Sequence, residues 1–256
     1  MLQTESYQDD KVLSVAKNVA RVRERMRQAA ERVGRDPAEV RLVAAAKTVD
    51  TARIRAAIAA GVDIIGENYL QEARRKIGQL GGEGVAWHMI GALQRNKVRY
   101  IFDLFDMVHA VDRLQLAQEI DRRGQRLDRC MPVLLEVNIG GETSKSGFQP
   151  EILLQEVEKL APLTHIHIQG LMTIPPPTPT PEEARPFYQA LCDLRQRLMR
   201  EGFDKHDFSE LSMGMTADFE VAIEEGATLV RVGTAIFGPR PTLPHHASES
   251  KESSNA

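Results

Sequence analysis

Eight short apolar runs alternating with helical segments predict one α/β domain, a single (β/α)8 barrel of the TIM type with an extra N-terminal helix. Three observations carry this. The runs, at 41–46, 62–66, 85–91, 107–110, 132–138, 165–173, 208–212 and 228–233, are rich in apolar and β-branched residues. Seven of the eight lead into a stretch of helical character before the next run begins. Several are apolar throughout, as suits a parallel sheet covered on both faces. An open doubly wound sheet is the competing architecture. It would place a glycine-rich phosphate turn after its first strand, where this chain has Ala45-Ala46-Lys47-Thr48.

Taken in order, the first helix spans 9–33. Val12, Val15, Ala16, Val19, Val22 and Met26 recur at helical spacing, and Gly34 can end it. Further helices are expected at 51–60, 68–79, 96–102, 113–123, 150–161, 181–201 and 217–225. The proline-rich stretch 175–181 reads as a stiff loop after the sixth strand, either the edge of a lid or a solvated connection. The barrel domain is expected to occupy 1–240, and the Ser-, His- and Glu-rich stretch 241–256 to be a disordered tail. Trp87 and the methionines read as core.

The 256 residues carry a net charge of -3, which gives no bulk electrostatic reason to expect nucleic acid or an anionic membrane as partner. Two cysteines, Cys130 and Cys192, do not make a disulfide framework, and a reducing cytoplasm fits them. No apolar run is long enough to span a bilayer, and the polar N-terminus lacks the apolar stretch of a signal peptide. A soluble cytoplasmic protein is therefore expected.

In a barrel, functional groups collect at the C-terminal ends of the strands. The first strand ends at Lys47, after small residues that leave room for a planar ligand. Burial there would lower the lysine pKa and free its amine to attack an aldehyde, although a solvated strand-end lysine is the plainer reading. The seventh strand ends in Ser212-Met213-Gly214-Met215-Thr216, with hydroxyls, a glycine and the start of the next helix. The eighth ends in Gly233-Thr234. Loops after strands 7 and 8 commonly hold phosphate in this fold, and helix N-termini favour anions. Asp218 and Glu220 would repel a phosphate if they faced it, so they are expected to point outward. A lysine on strand 1 opposite such a cup suits an aldehyde–phosphate cofactor, pyridoxal 5'-phosphate (PLP), whose ring nitrogen also needs a partner. Arg231 stands just before the second phosphate loop, with an ion pair to a helix carboxylate as its alternative role.

The segments VRLVAAAKTVD around Lys47, IGENYLQEA (65–73), WHMIGALQRNK (87–97), LLEVNIGGETSKSGF (134–148), GLMTI (170–174), LSMGMTADFEVAIEEG (211–226) and VRVGTAIFGPR (230–240) together resemble the PLP homeostasis protein family, also described as proline-synthetase co-transcribed proteins. The resemblance runs from Val12 to Arg240. It implies a barrel similar to the N-terminal domain of alanine racemase, with Lys47 as the Schiff-base lysine and Arg231 facing the pyridine nitrogen. It places Ser212, Thr216, Gly233 and Thr234 in phosphate-binding segments, and Asn68 and His88 near the pocket. It implies control of the intracellular PLP pool and of amino-acid and keto-acid balance, by storage or delivery, with PLP-dependent apo-enzymes as possible recipients. Robust catalysis and catalytic residues are not implied. Alanine racemases add a second, β-rich domain that helps form their dimer and delivers a tyrosine. Little chain follows Arg240 here, so a monomer with negligible racemase activity is expected.

Two other readings compete. A weak PLP-dependent amino-acid racemase would need an acid–base group on each face of its substrate, and only the lysine face is evident. A Schiff-base aldolase would usually carry its lysine on a later strand. The segment GGETSKSG is no P-loop, because Ser144 stands where glycine must precede Lys145. Lys145 reads as a solvated loop lysine or an anion contact at the barrel mouth. His165 and His167 lack a third ligand, so no metal is expected.

Overall fold

The computed structural model describes residues 2–81, 84–201 and 207–239, with side chains from residue 14 onward. Eight parallel strands close into a barrel in chain order: β1 Arg41–Ala45, β2 Ile64–Glu67, β3 Ala86–Met89, β4 Met107–Val111, β5 Met131–Glu136, β6 Ile166–Met172, β7 Glu210–Met215 and β8 Leu229–Val232. The pairing of β1 with β8, Val43 opposite Arg231, completes the ring. Around it lie α1 Leu2–Arg32, α2 Thr51–Ala59, α3 Leu70–Leu80, α4 Ile101–Leu104, α5 Leu114–Leu127, α6 Pro150–Leu160, α7 Arg185–Arg200, α8 Phe219–Glu224 and α9 Thr234–Phe237.

Strand periodicity divides the buried apolar residues into two sets. Leu42 and Ala44 on β1, Leu211 and Met213 on β7, and Val230 and Val232 on β8 face the helices and join the large outer core. Val43, Ile64, Ile90, Met107, Leu134, Met172 and Leu229 point inward and form a small separate cluster. The inner space also holds buried polar side chains, which is where the site begins. The close approach of β6 and β7 depends on Gly170. At its φ of +157° a Cβ would lie 1.8 Å from the Glu210 carbonyl oxygen.

α1 buries Val15, Val19, Val22, Met26, Ala29 and Ala30 against α2, α8 and α9, at the seam where the barrel closes. Arg25 pairs with Glu220 at 2.8 Å, and Arg35 Nη1 donates to the carbonyls of Ile223 and Ala227. The extra helix thus staples the last β/α units to the first.

Differences from the sequence reading are local. α1 begins at Leu2. The stretch expected as a helix at 96–102 is a 3-10 turn, Arg95–Tyr100, running into α4. β7 continues to Met215. A short ninth helix follows β8. Trp87 is buried, but Met199 and Met215 are exposed, so not every methionine is core. The expected tail, 241–256, lies outside the described residues.

Candidate functional site

β1 points Val43 and Ala45 into the barrel, and Lys47, two residues on, continues that parity just past the strand end. Lys47 is half-buried, and its Nζ lies 5.0 Å from the centre of the exposed Tyr69 ring. The next residue, Thr48, has φ +63°. A β-branched residue in the left-handed region is strained by roughly 1–2 kcal/mol, so its surroundings must hold it there. They do so through a buried ion cluster. Lys76 and Glu67 are both fully buried. Lys76 Nζ donates to the Ala46 carbonyl at 2.7 Å, to Glu67 Oε1 at 2.5 Å and to Glu72 Oε2 at 3.0 Å. Glu72 Oε2 also accepts the Thr48 N–H at 3.0 Å. Burial raises the Glu67 carboxyl although Lys76 opposes it.

Across the β8–β1 seam, Gly233 and Thr234 line the same small cleft as Lys47. Three donors converge there on the hydroxyl oxygen of Thr216: the Gly233 N–H at 3.3 Å, the Thr234 hydroxyl at 3.5 Å and the Ala235 N–H at 3.5 Å. These contacts are long, as donors are when they share one weak acceptor. Gly214, at φ +86°, serves packing. A Cβ there would lie 2.5 Å from Ala222 Cβ, so the glycine lets α8 approach β7. Glu220 points out to Arg25. Asp218 does not turn away as expected, because its Oδ1 accepts the Met215 N–H at 2.7 Å. One backbone donor expected to be free for an anion is thereby occupied.

Ser212, expected among the phosphate donors, lies elsewhere. It sits within β7, fully buried, and faces the barrel interior. Its oxygen accepts from Arg231 Nη1 at 2.5 Å and lies 2.9 Å from His109 Nδ1. His109 Nε2 lies 2.9 Å from His88 Nδ1. Arg231 Nη2 donates to the Thr173 carbonyl at 2.8 Å, and the Thr173 hydroxyl donates to the Val137 carbonyl. All of these side chains are buried. Burial, with nearby cations, drives both imidazoles down, His88 to about 3 and His109 well below its ordinary value, so both are neutral. Among the described residues no carboxylate forms an ion pair with Arg231. Its buried guanidinium donates to Ser212 and to the Thr173 carbonyl, and feels Tyr188, Glu136 and Asp218 through space.

At the mouth, a cavity of about 250 Å³ is lined by Asn68, Ile90, Ala110, Glu136, Asn138 and Lys145, among others. Asn68 also borders a larger groove of about 620 Å³ beside α3. Glu136, at the end of β5, stands on the strand diametrically opposite β1. Burial and the neighbouring Asp112 push its carboxyl up to about 7, against Arg231. Lys145 is paired with Glu142, which limits it as a free anion contact. No cluster of three or more His, Cys, Asp or Glu suited to a metal occurs among the described residues.

Residues 18–241 match the family described as "Alanine racemase, N-terminal domain". A pyridoxal phosphate homeostasis protein of Aquifex aeolicus (strain VF5) is 42% identical over 228 residues, covering 89% of this chain and 99% of that protein. That of Pseudomonas aeruginosa is 44% identical over 229 residues, covering 89% of this chain and 96% of its own length. The chain belongs to the pyridoxal phosphate homeostasis protein family. Among solved structures of similar proteins, PipY of Synechococcus elongatus PCC7942 with PLP bound superposes with a TM-score of 0.77 at 34% identity, covering 88% of this chain and all of that one.

Of the residues singled out for this family member from sequence, the fold brings Lys47, Gly233 and Thr234 around one cleft, and Thr216 adjoins it through its hydrogen bond from the Gly233 N–H. Arg231 lies inside the barrel, and Asn68 faces the mouth cavity. His88 is deep within the chain of polar groups. The sequence reading missed His109, Glu136 and the Lys76–Glu67–Glu72 cluster. His109 carried a usable signal, a titratable residue inside the apolar run MVHAV. Glu136 likewise ends the apolar strand MPVLLE. Lys76 had only its i,i+4 spacing from Glu72, which is common on exposed helix faces.

Proposed function

We propose that this chain holds PLP on Lys47 and acts in PLP homeostasis, storing or delivering the cofactor in the cytoplasm as a monomer, with PLP-dependent apo-enzymes as recipients. The observation that carries the reading is the shared cleft of Lys47 with Gly233 and Thr234, beside the donor cluster at Thr216. Bound PLP supplies an aldehyde carbon, a phosphate and an electron-withdrawing ring. Lys47 provides the amine. The Thr216 and Thr234 hydroxyls and the Gly233 and Ala235 N–H groups provide phosphate donors. Arg231 fits the ring nitrogen, because its buried guanidinium forms no ion pair among the described residues and has only donors to offer. A group that cannot give up its proton leaves the nitrogen unprotonated and the ring a weak electron sink. That suits a protein that keeps PLP without consuming amino acids. The monomer reading is supported by the scatter of exposed large apolar residues over separate elements: Val33, Tyr69, Ile152, Ile174, Met199 and Met215. No helix among the described residues is long and apolar enough to cross a membrane.

Borohydride reduction of the PLP-loaded protein followed by peptide mapping should place the pyridoxyl group on Lys47. An unchanged Schiff-base absorption band in Lys47→Ala would overturn the assignment. Transfer to an apo-enzyme faster than free PLP release would support delivery, and equal rates would count against it.

One observation favours the second reading, a weak amino-acid racemase. Glu136 offers a protonable carboxyl across the mouth from the lysine strand. Turnover of order 1 per second or more would establish that reading.

A further inference from the structure

The donor-only nature of arginine fixes the direction of the whole inner chain. The Ser212 oxygen accepts from Arg231, and its one other hydrogen-bond partner among the described residues is His109 Nδ1, 2.9 Å away. If the Ser212 hydroxyl donates to Nδ1, the serine proton and both ring nitrogens of His109 are used. If Nδ1 carried the proton instead, the serine proton would be buried without an acceptor, at a cost of about 1–3 kcal/mol. His109 is neutral, so its proton then sits on Nε2 and is donated to His88 Nδ1. His88 in turn carries its proton on Nε2. Donation thus runs one way, from Arg231 through Ser212 and His109 to His88.

We propose that His109, backed by His88, is a positioning residue for Arg231. By taking the Ser212 proton it leaves that oxygen as a pure acceptor, which pins one arm of the guanidinium. The Thr173 carbonyl pins the other at 2.8 Å. The remaining arginine donors are thereby aimed at one place beneath the barrel mouth. Three strands contribute: β4 through His109, β7 through Ser212 and β8 through Arg231. The two imidazoles do not touch the mouth and act only through the serine. The functional consequence rests on the PLP reading above, whereas the direction of the chain does not.

The test has two independent arms. In the PLP-free protein, long-range ¹H–¹⁵N spectra of the imidazoles should show the Nε2–H tautomer for both His88 and His109. An Nδ1–H tautomer at His109 would overturn the proposal, whatever the protein binds. In the second arm, PLP retention and the position of its long-wavelength absorption band are compared for His109→Gln, His109→Leu and Ser212→Ala. Glutamine can accept from Ser212 and donate to His88, so it should stay within about 2-fold of wild type with the band in place. Leucine should lose about 10-fold in retention, as expected for one broken buried hydrogen bond, with a displaced band. Ser212→Ala breaks the same chain with less steric load and should reproduce the leucine phenotype. The Ser212→Ala/His109→Leu pair should be no worse than either single change. A cooperatively folded Ser212→Ala protein with wild-type retention and band would sink the proposal. If wild type itself holds no PLP, the functional reading fails, and the tautomers still decide the direction of the chain.

Discussion

The N–H of Thr48 is held by Oε2 of Glu72 at 3.0 Å, so a helix carboxylate fixes the residue that follows Lys47 in its left-handed conformation. Asparagine tolerates that conformation better than threonine. Thr48→Asn is therefore expected to stabilise the PLP-free protein by up to about 1 kcal/mol in denaturant melts. If it destabilises, the threonine hydroxyl, which donates to the Lys47 carbonyl at 2.6 Å, is worth more than the strain.

Lys76→Met leaves Glu67 as a buried, unpaired carboxyl. A loss of about 3–5 kcal/mol is expected. The double change Glu67→Gln/Lys76→Met removes the stranded group and should recover part of that loss. Equal stability of the single and double variants would show that Glu67 finds another partner.

His88 has a pKa of about 3 in the folded chain against the ordinary 6.5. As pH falls through 6.5 the unfolded chain takes up a proton that the folded chain refuses, so stability is lost between 6.5 and 3. From pH 7 to pH 5 this histidine should account for about 2 kcal/mol of lost stability. His88→Gln should show a correspondingly shallower fall. Parallel curves for variant and wild type would show that the histidine is protonated in the fold.

Glu136 works in the opposite sense. Its carboxyl is raised from 4.5 to about 7, so the folded chain holds a proton that the unfolded chain releases. Stability falls as pH rises from 4.5 to 7 and is level above. Glu136→Gln should therefore stabilise the PLP-free protein at pH 8 by up to about 3 kcal/mol, and at pH 5 by less than about 1 kcal/mol. A gain independent of pH would show that packing, not ionisation, decides the effect.

The barrel was legible in the chain because each strand's burial writes a short apolar run and each helix a 3.6-residue rhythm. The placement of Lys47 and Gly233-Thr234 side by side was legible because each follows the end of a strand that the apolar runs mark. Ser212 misled for a physical reason. A polar residue was read as the end of an apolar strand, but the barrel interior of this protein is itself polar at that level. β7 runs on to Met215 with Ser212 facing Arg231. His109 could be picked out as a titratable residue inside a buried apolar run, but its role could not, because its partners come from β3 and β7, far away in sequence. Lys76 could not have been found from spacing, since nothing in the pattern of α3 marks one of its lysines as fully buried.

The register between β7 and β8 slips between Ser212 and Met215, which pair with Leu229 and Arg231 respectively. Three steps along one strand answer to two along the other, so the lower and upper parts of β7 keep separate neighbours. The lower part tends the guanidinium, and the upper part carries the chain toward Thr216. On the PLP reading proposed above, the grip on the phosphate and the environment of the ring can therefore drift independently under mutation. A lineage carrying this slip could make its ligand easier to release without altering how reactive that ligand is while held.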